Sequence, residues 1–194
     1  AADAFGAAYC TDAASVGRDV TRGFPYVRRV GRVVLVAVNS AVETPPFVSA
    51  GEVGGRQRVA LARLLDALAA SGLARVVLIH HPPLGFQAPP RRGLADAAQL
   101  ESVLAVHGAE LVLHGHNHRD TLVWCDGEAG RIPVLGIASG SAMRGHKGEA
   151  LGRYNLIRVR GGPQDGGWRI EVVGRGLASP TSGVVELDRQ VLHV

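Results

Sequence analysis

Apolar residues in this chain fall into short blocks whose spacing changes after residue 120. Residues 32–38 (RVVLVAV), 75–79 and 110–113 are nearly unbroken apolar runs rich in Val, Leu and Ile. Their length and composition suit strands buried on both faces. Between the first two, residues 56–71 place Val59, Leu61, Leu64, Leu65 and Leu68 on one stripe, with Arg58, Arg63 and Asp66 off it. That spacing predicts a helix, which Gly72 ends. A second helix is predicted over 94–107, with Leu100, Val103, Leu104 and Val106 inward and Gly108 as its stop. Residues 1–14 predict a short helix. The rest of the first 31 residues has no regular period, and Gly23-Phe24-Pro25-Tyr26 interrupts any helix. Beyond residue 120 the pattern gives short strands at 121–125, 132–137, 154–160, 168–173 and 184–187. Turns such as Asp126-Gly127 and Asp165-Gly166-Gly167 separate them. The order is β-α-β-α-β followed by an antiparallel meander. It predicts one α/β domain over residues 1–194, with no internal repeat and no linker.

Composition narrows the function classes. A chain of 194 residues, 46% of them hydrophobic, can bury a sizeable core. The net charge of +4 comes from dispersed Arg, not from a basic block, and aromatic residues are 5% of the chain. A nucleic-acid module is therefore disfavoured. A mild positive field suits a small anionic substrate, although Arg-rich composition by itself accounts for the basic balance. The two cysteines, Cys10 and Cys125, are expected to be free thiols in a reducing compartment. No apolar run approaches the ~18 residues of a membrane helix, and no signal peptide is visible. The expectation is a cytoplasmic protein with no membrane contact.

The chemistry concentrates at two strand ends. One is Leu113-His114-Gly115-His116-Asn117-His118, and the other is Ile79-His80-His81-Pro82-Pro83. In an extended backbone alternate side chains share a face, so imidazoles of the first group could reach one metal ion or a close pair. Gly115 lets the backbone turn tightly, and Pro82-Pro83 stiffens the loop after the second group. His80, His116 and His118 are the predicted metal ligands. His81 and His114 either orient those ligands or only pack. A lone loop histidine is usually a surface residue, which is the reading for His107, His146 and His193. His107 also suits the negative end of a helix. Two other histidine patterns do not fit. Histidine-triad hydrolases place apolar residues where Gly115 and Asn117 stand, and the metallo-β-lactamase pattern needs Asp at position 118.

At these residues the sequence resembles the calcineurin-like metallophosphoesterase family. Ile79-His80-His81-Pro82-Pro83 is similar to the family's penultimate motif, and Gly115-His116-Asn117-His118 to its final Gly-His-x-His motif. The resemblance runs from about residue 31 to about residue 154. It implies the C-terminal part of a four-layer α/β/β/α sandwich and a metal-dependent phosphoesterase, closest to phosphodiester hydrolases. His80 and His116 would ligate one metal of a binuclear pair and His118 the other, with Mn, Fe or Zn as the metals. A hydroxide activated by the pair would attack phosphorus. His81 and His114 are the catalytic or supporting candidates. Arg91 and Arg92, in a loop that would cover the metals, and Asn39, at a strand end, are the substrate-binding candidates. The family's Asp-x-His, Gly-Asp-x-x-Asp and Gly-Asn-His-Asp/Glu motifs do not occur here. The N-terminal half of such a domain is thus expected to be missing, and this polypeptide alone to be inactive or weak. The competing reading is a non-catalytic, truncated or degenerate domain that binds metal or self-associates as a homo-oligomer through open sheet edges.

Overall fold

The structure is a computed structural model, which describes residues 23–143 and 149–194. The helix expected over 1–14, Cys10 and His146 lie outside the described residues.

A six-stranded mixed sheet carries the fold. Its strands are β1 (Tyr26–Val30), β2 (Val33–Ala37), β3 (Ala74–Ile79), β4 (Leu111–His114), β5 (Thr121–Cys125) and β6 (Ile132–Gly136), in the order β1-β2-β3-β4-β6-β5. β2, β3, β4 and β6 run parallel, and β1 and β5 are antiparallel edges. The crossovers from β2 to β3 and from β3 to β4 run through α1 (Gly55–Ala69) and α2 (Ala97–His107). Both helices share one apolar cluster with Val34, Val36, Val77, Ile79 and Val112, so both lie on one face of the sheet. The opposite face, built on Ala74, Val76, Leu111 and Leu135, is covered by Trp168, Ile170, Val172 and Leu192. These belong to a second, antiparallel sheet of β7 (Arg153–Gly162), β8 (Gly167–Leu177) and β9 (Val184–His193), in that order. Alternate residues of β3 feed the two clusters, which is why its sequence is apolar throughout.

Three expectations are corrected. The chain after residue 120 is not one meander. β6 inserts beside β4, in parallel, and β5 folds back on it as the edge. β1 is a strand that the period did not reveal. As an edge strand it buries Val27 and leaves Arg29 and Val30 outside, so its sequence never alternates cleanly. Val59 and Val106 are more than half exposed. Each sits roughly 200–240° around its helix from Leu61 or Leu100, off the inward face.

α2 starts three residues later than expected because Asp96 turns elsewhere. Its buried carboxylate accepts the backbone N–H groups of Val53 (3.0 Å) and Gly54 (2.8 Å) and pairs with Arg58. It therefore neutralises the start of α1 and not its own helix. Arg75 ties the other ends together. Its guanidinium grips Glu110 (2.9 Å) and donates to the His107 carbonyl at the end of α2 (2.8 Å). Cys125 is buried and reduced, and burial, followed by Glu101 and Asp126, pushes its thiol up to about 11. Among the described residues, no helix is long and apolar enough to cross a membrane.

Leu65 is fully buried between α1 and the sheet. Leu65→Ala is expected to lower unfolding free energy by about 2–5 kcal/mol through lost burial and a residual cavity. Urea unfolding followed by circular dichroism measures it, and a loss below about 1 kcal/mol contradicts this packing.

Candidate metal centre

The parallel register sets the geometry of the histidines. Ile79 of β3 lies opposite His114 of β4, so both strands end at the same level. The backbone N–H of Gly115 then donates to the His80 carbonyl at 3.1 Å, carrying the pairing one step past the strands. Such a position, outside the carboxyl ends of parallel strands, is where open α/β sheets bind ligands.

His80, His81 and His116 converge there. Each offers a ring nitrogen, and these nitrogens all lie within 4.8 Å of one another. His80 Nε2 and His116 Nδ1 are 3.1 Å apart. Two nitrogens bound to one ion at about 2.0–2.1 Å stand about 3.0–3.4 Å apart at ordinary ligand angles. The contact thus has the separation of two ligands on one cation.

The electrostatics suit neutral imidazole. Burial first, then the rings of His81 and His80 and the Arg92 guanidinium, push His116 down to about 4. The Arg92 backbone opposes this shift, although no hydrogen bond of ordinary geometry reaches the buried Nε2. A neutral ring always carries one unprotonated nitrogen, so a lone pair is available at neutral pH. The donor set therefore fits a borderline divalent cation. No carboxylate belongs to the group among the described residues, so a bridging acid is absent from it.

His81 is held from both sides. The Ser40 hydroxyl meets its Nδ1 at 2.8 Å, and its Nε2 lies 3.1 Å from the Ser49 carbonyl. Since the carbonyl can only accept, Nε2 donates and Nδ1 accepts. Burial is the main reason its pKa is lowered. To ligate an ion, His81 must give up one of these partners. As placed, it packs against His116, with ring centroids 4.4 Å apart. Gly51 makes room for it, because a Cβ there would stand 2.3 Å from His81 Nδ1.

His114 faces inward and supports the loop. Its Nδ1 meets the Gly115 carbonyl and its Nε2 the Gln87 amide, both at 3.0 Å. The Gln87 amide must donate, so this ring too is neutral, and burial lowers its pKa.

The alternation expected for residues 114–118 does not hold. β4 stops at His114, and His116 and His118 adopt left-handed φ values of 65° and 52°. Such values are uncommon for residues with a side chain and gather at functional sites. Gly115, expected to supply the turn, is not the left-handed residue, and a Cβ there would make only ordinary contacts. The turn at His118 carries its ring away from the cluster. Its Nδ1 lies 3.4 Å from Glu149, and half of its side chain is exposed. A second ion would find His118 and Glu149, not His118 beside His116.

The substrate-binding candidates separate as well. Arg92 is close enough to His116 to depress its pKa. The Arg91 carbonyl accepts the Ser49 N–H at 3.0 Å, which stitches loop 39–54 to loop 80–94. Asn39 points elsewhere. Its side chain accepts the Ala41 N–H at 3.0 Å, and it lines a different cleft with Phe24, Arg56 and Gln57. Sequence reasoning missed Ser40, Ser49, Gly51 and Gln87. The first three lie in an aperiodic loop whose link to the histidines is long-range, and only Gly51 left a visible trace as loop punctuation. His107 pairs with Asp66 at 2.7 Å on the helical side, and His193 is exposed, which suits their surface reading.

No family model matches the chain, and no curated protein matches it.

The lowered histidines give the metal-free protein a defined acid response. A folded pKa below the ordinary 6.5 means the unfolded chain binds more protons between the two values. That stability is present above about pH 6.5 and is lost as pH falls toward 4. Asp120 acts oppositely, since burial raises its carboxyl and folding retains its proton. Replacing His116 by Asn, which tolerates a left-handed φ, isolates the histidine. The urea midpoint of His116→Asn is expected to fall less steeply than wild type between pH 6.5 and 4. Parallel slopes contradict the assigned environment.

Proposed function

We propose that His80 and His116 hold a divalent metal ion, with His81 beside them, in a metal-dependent phosphoester hydrolase of the calcineurin-like type. The observation that carries this is the meeting of His80 Nε2 and His116 Nδ1 at 3.1 Å, from the ends of two adjacent parallel strands. The neutral, partly desolvated His116 ring supports it, because a neutral imidazole has a lone pair to give an ion. So does the pair of facing sheets with helices outside the larger one, the arrangement expected for part of an α/β/β/α sandwich.

When bound, the ion supplies Lewis acidity toward a phosphoryl oxygen and makes nearby water more acidic. The protein's own groups do the rest. His81, fixed by Ser40 and Ser49, packs against His116 and limits its motion. His114, fixed by Gln87, does the same for the backbone leading to His116. Arg92 offers a guanidinium whose fork matches phosphate oxygens. Beside His80 the floor is apolar, with Val38, Leu78, Leu113 and Ile137 lining a cleft of about 320 Å³.

A non-catalytic, metal-binding reading is the second one. It is favoured by the all-nitrogen donor set and by the departure of His118 toward Glu149.

Two measurements on the 194-residue chain decide between them. Isothermal titration with Zn²⁺ and Mn²⁺ is expected to show one ion per chain. His80→Ala and His116→Asn are each expected to weaken it about 10- to 100-fold or more, as loss of metal-supporting groups does. Absence of binding in wild type removes the metal centre altogether. Turnover of bis(4-nitrophenyl) phosphate by the loaded chain, abolished by His80→Ala, supports the hydrolase, whereas metal binding without turnover supports the second reading.

A further inference from the structure

A cleft of about 430 Å³ opens beside the histidines. Its walls include Phe86, Pro89 and Val123 on the apolar side and Arg92, Asn117 and Arg119 on the polar side. Clefts of roughly 300–1,000 Å³ suit small organic ligands. Loops 84–93 and 115–120 form much of it, with Thr121 and Val123 of β5 and Glu149 completing the wall, and the Asn117 amide donating to the Gln87 carbonyl at 3.0 Å holds the two loops together.

The cleft has surplus positive charge. Among the described residues, neither Arg92 nor Arg119 has a carboxylate within 4.0 Å. The carboxylate that lines the cleft, Glu149, faces His118 instead. Arg92 lines the cleft together with Asn117, which directly follows His116 in the chain. Arg119 is a separate guanidinium, three residues beyond His116 in the chain. The Phe86 ring is 73% exposed and has lost little of its area to neighbouring atoms. An apolar rim and two unpaired guanidiniums in one cleft ask for a ligand with an apolar body and more than one anionic group.

We propose that this cleft binds the organic arm of the phosphoester, and that the arm bears a carboxylate received by Arg119 while Arg92 faces the phosphate. This rests on the reading of His80 and His116 as a metal-assisted phosphate site. The substrate class that follows is an aryl or alkyl phosphoester with a second, carboxylate anion on its leaving group. Simple phosphate esters are then poor ligands.

Calorimetry on the full chain with Mn²⁺ tests it, using phenyl phosphate and 4-carboxyphenyl phosphate as probes. The carboxylated probe is expected to bind about 10- to 100-fold more tightly, as a charge-assisted pair allows. In Arg119→Ala the ratio between the two probes should fall to about one, and Arg119→Lys should restore part of it. Circular dichroism and retained phenyl phosphate binding show that Arg119→Ala is folded, so that a fall in the ratio is a selective loss; Arg119→Gln serves in its place if Arg119→Ala fails that check. Equal affinity in wild type, a ratio that survives Arg119→Ala, or no binding of either probe at millimolar concentration overturns the proposal. Chelating the metal separates the two claims. Loss of phenyl phosphate binding on chelation speaks for the metal site, while the Arg119-dependent ratio speaks for the cleft.

Discussion

Everything at the candidate site follows from the pairing of β3 with β4. Their parallel register ends both strands at one level, and a further backbone hydrogen bond from Gly115 to His80 holds the two exits together. Imidazoles 36 residues apart in sequence are thereby brought to hydrogen-bonding distance. Neither loop could do this alone, because a flexible loop spends entropy for every position it fixes. The sheet meets that cost through the two apolar clusters on its faces.

The main outlines were readable because they rest on local rules. Continuous apolar runs ending in histidine marked β3 and β4, and the Leu stripe marked α1. What stayed hidden depends on long-range partners. No period tells that β6 enters beside β4, or that Asp96 serves the helix before its own. The limit shows most clearly at residues 114–118. The rule that alternate residues share a face holds only while the backbone is extended, and here it ends at His114. Two left-handed residues follow, so His116 joins the cluster and His118 leaves it. An Asn or Gly at such positions would have announced the turn, but histidine does not.

The polar shell around the cluster has a consistent logic. His81 and His114 are each engaged at both ring nitrogens, and burial favours their neutral forms. They act as fixed dipoles and not as mobile charges. His116 differs in keeping one nitrogen unpartnered. That contrast, a satisfied His81 ring packed against an unsatisfied His116 ring, sets the cluster apart from an ordinary group of packed histidines.

The buried Arg153 carries a different kind of consequence. Its guanidinium reaches Asp120, just beyond the histidine segment, at 3.0 Å and Asp188 of β9 at 2.6 Å. A single side chain thus riveted between two distant parts of the chain makes the C-terminal ribbon an anchor for the histidine-bearing turn. Trimming the last strand would strip one acid from that rivet and uncover the ring of Trp168 in the same stroke, so damage at the tail would be felt at the histidines without touching them.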